Sequence, residues 1–314
     1  MEAKHASVMV EEVMAALSVR PDDTVVDATL GGAGHFRRLL AALGDGGTIV
    51  GIDADEEAVE RARAAYAEDR RPERPVAHLV VDNFRNLARV LERTSVGPVD
   101  KALFDLGWSG YQVASSRGFS FKGVDQPLYM TYGSDATSAA EIINSASERE
   151  LADLIFAYGE EQHARRIAKA IVAARAKERI LTTGQLVAAI ESAVPAAYAH
   201  GKIHPATKTF QALRIAANDE YGALKEGLTA ALAALAPKGV IAVLTFHSGE
   251  DRIVKRLFRA AETHGDGEAS DALAPSEAEI AENRRARSAK LRTFVKHAVS
   301  PVAPQPSLHD YHAA

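Results

Sequence analysis

Three apolar runs in the first third of the chain deliver, in turn, a glycine-rich loop, an acid and a second acid, and nothing else in the sequence restricts the fold so far. Val25-Val26-Asp27 leads into Ala28-Thr29-Leu30-Gly31-Gly32-Ala33-Gly34-His35. Thr48-Ile49-Val50-Gly51-Ile52 ends on Asp53, and the run from Val99 reaches Asp105 ahead of Leu106-Gly107-Trp108-Ser109-Gly110-Tyr111-Gln112. Short apolar runs bounded by turn residues are strands buried on both faces, here over 25–29, 48–53, 78–82 and 99–106. Between them the apolar spacing changes to three and four residues, which predicts helices over 35–43, 55–68 and 84–94. Alternation of this kind builds a parallel α/β sheet, whose ligands bind beyond the carboxyl ends of the strands.

The alternation stops after Leu106. From 137 to 192 the segments Ala139–Asn144, Glu148–Tyr158, Glu160–Ala176 and Thr183–Ala193 carry helical spacing, with Ser147 and Thr182 or Thr183 placed as N-caps. An amphipathic stretch from Thr207 to Leu235 follows, and Pro237-Lys238-Gly239 then turns into a second buried-type strand, Val240–Phe246. A helical block between two strands of one sheet is an inserted domain, and 314 residues suffice for two domains. Glu262 to Asn283 lacks Lys and Arg and reads as an acidic loop, whereas Ser288–Val295 alternates like a late strand.

Composition removes several chemistries. No cysteine is present, so disulfides, zinc-thiolate sites and thiol catalysis are excluded. The sequence from Met1 shows no secretory leader pattern and no apolar run near the roughly 20 residues that span a bilayer, so a cytoplasmic protein with no membrane partner is expected. A net charge of -5 means that any grip on nucleic acid must be local. Three basic clusters offer one: Arg284, Arg285 and Arg287 with Lys290 and Arg292; Arg252, Lys255, Arg256 and Arg259; and Lys202, Lys208 and Arg214.

The loop narrows the cofactor. A dinucleotide fingerprint wants a third glycine where Arg37 stands, and a phosphate loop wants Lys followed by Ser or Thr where His35-Phe36 stands, so NAD and ATP are disfavoured. S-adenosyl-L-methionine needs only a close backbone approach and a carboxylate for the ribose hydroxyls, and Asp53 stands at the right strand tip. Trp108 has two readings, a stacking partner for a flipped base or a filler of the lid interface. His204 and Lys208 point to RNA, since no second histidine follows at metal-ligand spacing and no metal site is expected. His247, crowded by Ser248, Glu250 and Asp251, is a candidate for the rim of the site.

Longer motifs carry a resemblance: Asp27-Ala28-Thr29-Leu30-Gly31, Asp105-Leu106-Gly107, Arg117-Gly118-Phe119-Ser120-Phe121, Tyr158-Gly159-Glu160-Glu161, His204-Pro205-Ala206-Thr207 with Phe210–Ile215, Phe246-His247-Ser248 and Arg285–Arg292. With these the chain resembles the bacterial 16S rRNA (cytosine-N4)-methyltransferase family, the H-type small-subunit or MraW methyltransferases. The resemblance implies a Rossmann-like class I methyltransferase sheet over 1–111 and 212–314, interrupted by a helical substrate domain over 112–211. It implies methyl transfer to the N4 amine of a cytidine in the decoding centre of 16S rRNA, within the small ribosomal subunit. By motif position it implies cofactor contacts from Ala33, Gly34, His35, Asp53, Phe84, Asp105 and Gln112, with Asp105 and Trp108 catalytic. His204, Lys208, Arg214, His247, Arg285 and Arg287 are the expected RNA contacts, and a homodimer is compatible with all of this.

The chain departs from that family at several points. It has Gly32-Ala33 for Arg-Gly, Lys208 for Arg and Gly249 for Leu. Leu128-Tyr129-Met130-Thr131-Tyr132-Gly133 stands for Leu-Asp-Met-Arg-Met-Asp, losing an acid and a base. The competing reading is therefore a catalytically silent RNA-binding relative acting in ribosome assembly.

Overall fold

A computed structural model describes residues 7–106, 116–121, 125–132, 137–199, 201 and 203–298. The chain divides into two compact units, Met1–Ser109 with Tyr221–Ala314, and Gly110–Glu220. In the first unit, β1 (Thr24–Asp27), β2 (Thr48–Asp53), β3 (Val76–Val81), β4 (Val99–Asp105) and β5 (Leu235–Thr245) run parallel. Against their far side lie β6 (Gly267–Ala269) and β7 (Lys290–Lys296), with β7 antiparallel to both β5 and β6. The order is β3-β2-β1-β4-β5-β7-β6, so the chain reverses its direction of growth between β1 and β4. That pair flanks a topological switch point, where the crevice of an open α/β sheet opens.

Helices α1 (Val10–Leu17), α2 (Gly34–Ala42), α3 (Glu56–Glu68) and α4 (Leu87–Thr94) serve this sheet. Successive strand residues feed opposite cores: Val25, Ile49 and Leu103 join the helices α1, α2 and α3 on one face, while Val26, Val50 and Phe104 face α4 on the other. Both faces are covered, which is why the strands read as continuous apolar runs.

The second unit is helical: α5 (Ala139–Ser145), α6 (Glu148–Gly159), α7 (Ala164–Arg175), α8 (Thr183–Ala193), α9 (Ala196–Ala199) and α10 (Ala206–Asn218). Ser138, Ser147 and Thr182 each close a reciprocal capping box, with Glu141, Glu150 and Gln185 respectively. Each such cap is worth about 1 kcal/mol and fixes where its helix starts. Gly159 lets α6 meet α10 closely, because a Cβ there would lie 2.5 Å from the Lys208 carbonyl oxygen. The boundary expected at 211/212 falls inside α10, and the compact units divide at Glu220/Tyr221.

The stretch read as one amphipathic helix from Thr207 to Leu235 is two, α10 and α11 (Glu220–Ala234), broken where Asp219 takes a left-handed conformation at φ 45°. The following strand starts at Leu235, five residues before the expected Val240. The acidic stretch from Glu262 to Asn283 is also corrected. Its start completes α12 (Ser248–His264), its middle supplies β6, and Ser276 caps α13 (Glu277–Glu282). Apolar partners on β7 pull this sequence into structure although its composition is that of a loop. Among the described residues no helix is long and apolar enough to cross a membrane.

Candidate active site

Asp27 and Asp105 end the two strands that flank the switch point, and Asp53 ends the next strand along. Asp53 is held from two sides. Its Oδ2 accepts from the Gly31 backbone N–H and its Oδ1 from that of Asp55, both at 2.9 Å. Asp55, not Asp53, caps α3. Burial pushes the Asp53 carboxyl up to about 6, against the pull of those two N–H groups. Each of its oxygens keeps a second lone pair, the acceptor capacity that a vicinal diol requires.

Asp27 is fully buried. Its Oδ1 accepts from the Thr29 N–H at 3.2 Å, while Oδ2 has no hydrogen-bond partner among the described residues. Burial pushes this carboxyl up to about 7, with His35 and the Thr29 N–H pulling the other way. Asp27 has no role assigned from sequence, although it occupies the same strand-tip position as Asp53 and Asp105.

Asp105 is fixed through its backbone, whose N–H donates to Thr29 Oγ1 at 2.7 Å, and through its carboxylate, whose Oδ2 lies 3.3 Å from His35 Nδ1. The other ring nitrogen of His35 lies 3.1 Å from the Val8 carbonyl oxygen. Burial alone would lower the pKa of His35. The hydrogen bond and charge of Asp105, with the charge of Asp27, outweigh it and raise the pKa. Ala33 precedes α2 in a left-handed conformation, φ 61°, and opens the first turn that Gly34 and His35 occupy. The loop, Asp53, Asp105 and His35 therefore gather at one edge of the sheet.

Phe84 starts the turn after β3, half-buried, with its ring edge-on to Phe104 at 5.7 Å. Trp108 and Gln112 lie outside the described residues. In the helical unit His204 is exposed, stacks on Phe121 at 4.7 Å and accepts the Ala206 N–H at its Nδ1. Lys208 donates to the Glu160 carbonyl at 3.0 Å. The RNA contact expected of Arg214 is corrected to an internal brace. Its side chain is 3% exposed and grips Glu220 through Nε and Nη2, both at 2.8 Å, with the Tyr132 hydroxyl on the same carboxylate. His247 is likewise engaged, as the N-cap of α12. Its Nδ1 accepts the Glu250 N–H, and its Nε2 lies 3.0 Å from Glu250 Oε1. Arg285 and Arg287 are exposed on the short turn before β7, on either side of buried Ala286.

The sequence profile of the MraW methylase family matches residues 2–297. The chain belongs to the MraW methylase family. A protein of Deinococcus radiodurans named ribosomal RNA small subunit methyltransferase H is 46% identical over 297 residues, covering 92% of this chain and 88% of that protein. A protein of the same name in Geobacter sulfurreducens is 43% identical, covering 94% of this chain and all of its relative. Among solved structures, an rRNA methylase of Streptococcus thermophilus is similar at a TM-score of 0.43 and 11% identity, covering 92% of this chain and 93% of that one. As a member of the MraW methylase family the chain carries its glycine at 249 for a local reason. A Cβ there would fall 1.8 Å from the Tyr221 hydroxyl, so a larger residue at 249 requires the tyrosine side chain to move.

Proposed function

We propose that this chain is an S-adenosyl-L-methionine-dependent rRNA methyltransferase that acts on the N4 amine of a cytidine in the decoding centre of 16S rRNA. The observation that carries the reading is the set of three strand-end carboxylates at and beside the switch point, two of them raised well above the ordinary range by burial. Perturbed acids gathered in one crevice mark a site for a ligand. A cationic sulfonium with a ribose diol fits them: Asp53 retains acceptor capacity for the hydroxyls, Asp27 Oδ2 is a buried acceptor, and Ala33, Gly34 and His35 give a close backbone approach. Phe84 and Gln112 complete the proposed cofactor contacts.

When bound, the cofactor supplies an electrophilic methyl group. The cytosine amine is a weak nucleophile because its lone pair is conjugated into the ring, so placement and acceptors for its hydrogens do the catalytic work. Asp105 is the proposed acceptor and Trp108 the proposed stacking partner of the base. His204 and Lys208 on the helical unit, and Arg285 and Arg287 beside β7, are the proposed RNA contacts. The test is transfer of labelled methyl groups to small ribosomal subunits that lack the modification, with position and atom read by mass spectrometry. Asp105→Ala is expected to lower the rate about 10²–10³-fold with the fold intact. Binding of both RNA and cofactor without any transfer would favour the silent relative.

A further inference from the structure

We propose that His35 is an imidazolium in the resting protein and acts as a positioning residue, fixing the Asp105 carboxylate rather than contacting the cofactor through its ring. Nε2 faces the Val8 carbonyl oxygen at 3.1 Å, and a carbonyl only accepts, so Nε2 carries a hydrogen. Nδ1 faces Asp105 Oδ2 at 3.3 Å. A neutral ring would then point a lone pair at a carboxylate oxygen, acceptor against acceptor. A proton between them removes the conflict. It resides on the ring, because an imidazole is a stronger base than a carboxylate.

The cation is 5% exposed, so its desolvation must be offset by charge. Among the described residues two carboxylates supply it, Asp105 from β4 and Asp27 from β1, with Asp53 of β2 one step further and acting on Asp27. Among the described residues ahead of α1, the Val8 carbonyl meets the ring. Asp105 is thus held at both ends, its N–H on Thr29 and its Oδ2 on the imidazolium. Loss of the proton would leave two lone pairs opposed and release the carboxylate. The raised pKa of His35 fits this arrangement.

The inference rests on the reading that the cofactor lies at these strand ends, and the experiment separates the two. Nitrogen-15 NMR of the cofactor-free protein near neutral pH reads the ring directly and needs no variant. Two protonated ring nitrogens on His35 are expected, and the pattern of a neutral tautomer would overturn the proposal. Calorimetry with S-adenosylhomocysteine across pH is the second arm. Wild-type affinity is expected to fall as pH rises past the raised pKa of His35. His35→Gln, which keeps an N–H donor without the charge, is expected to bind about tenfold more weakly and to lack that pH step, the loss of a charge-assisted hydrogen bond. A variant with wild-type affinity and the same pH step would overturn it, and circular dichroism establishes that the variant is folded. Unchanged affinity in Asp105→Ala would instead refute the cofactor placement, while the NMR result would still decide the charge on His35.

Discussion

Replacing Asp27 by Asn should make the protein more stable at alkaline pH and remove part of its pH dependence. Asp27 is fully buried, with one backbone N–H on Oδ1, and burial lifts its carboxyl from 3.8 to about 7. Between those values the folded protein retains a proton that the unfolded chain has released. The contribution of Asp27 to stability is therefore greatest in acid and is lost as pH rises through about 7. A shift of about three units corresponds to about 4 kcal/mol over the full window. Asparagine has no charge to desolvate, but its buried Nδ2 costs about 1–3 kcal/mol if left unpaired. The net expectation is a gain of about 1–3 kcal/mol near pH 8 and less near pH 5. His35 adds a slope of the same sign, and because the Asp27 charge helps to raise its pKa, the difference between the two proteins reports Asp27 together with its pull on His35.

Urea denaturation of both proteins at the two pH values, with equal m-values as the control, measures this directly. Parallel stability profiles, or a variant less stable than the wild type at the higher pH, would refute the reasoning. The outcome bears on function as well. A charge that costs the fold stability belongs to a site where a ligand repays it, and a cationic cofactor should stabilise wild type more than Asp27→Asn.

Three further outcomes can be checked. Asp53→Ala should weaken S-adenosylmethionine binding by about 1–3 kcal/mol in calorimetry, the cost of leaving ribose hydroxyls unpaired, and unchanged affinity would remove Asp53 from the site. Removing Arg285 and Arg287 together should weaken RNA binding and flatten its salt dependence by about one to two phosphate contacts while sparing the cofactor, and an identical salt slope would make this turn a solvated surface. Gly159→Ala should lower thermal stability by about 1–3 kcal/mol, since the Lys208 carbonyl has to move, and an unchanged melting temperature would show that α6 and α10 separate easily.

The sheet was legible because its strands are covered on both faces, so Val25 and Val26, or Leu103 and Phe104, are apolar whichever way they point. The helical caps at Ser147 and Thr182 were legible because capping is local chemistry. What sequence could not show were pairings made at a distance. Arg214 belongs to a basic cluster in the sequence, yet the helix break at Asp219 brings a half-buried Glu220 onto its buried guanidinium. Neither glycine nor proline stands at the break itself, which falls on Asp219. His35 and Asp105 are 70 positions apart, and only the pairing of β1 with β4 sets their side chains together. The acidic stretch before β7 misled for the same reason, since its order comes from β7 and its composition gives no sign of it.

The exchange of acid and base at Tyr129 and Thr131 alters what this segment displays while its frame is kept. Leu128 and Met130 are buried on either side of Tyr129, which is 52% exposed. The backbone is tied at several points: Leu128 N–H to the Leu181 carbonyl, Met130 N–H to that of Arg117, and Tyr132 N–H to the Asn218 side chain. Tyr132 then extends its hydroxyl to Glu220, joining the network that Arg214 braces. A segment so anchored does not depend on the lost Asp and Arg for its conformation. Their loss therefore falls on the outward-facing chemistry, where an aromatic ring replaces a carboxylate. Tyr129 thus presents an aromatic ring to solvent from a frame that its backbone hydrogen bonds hold in place.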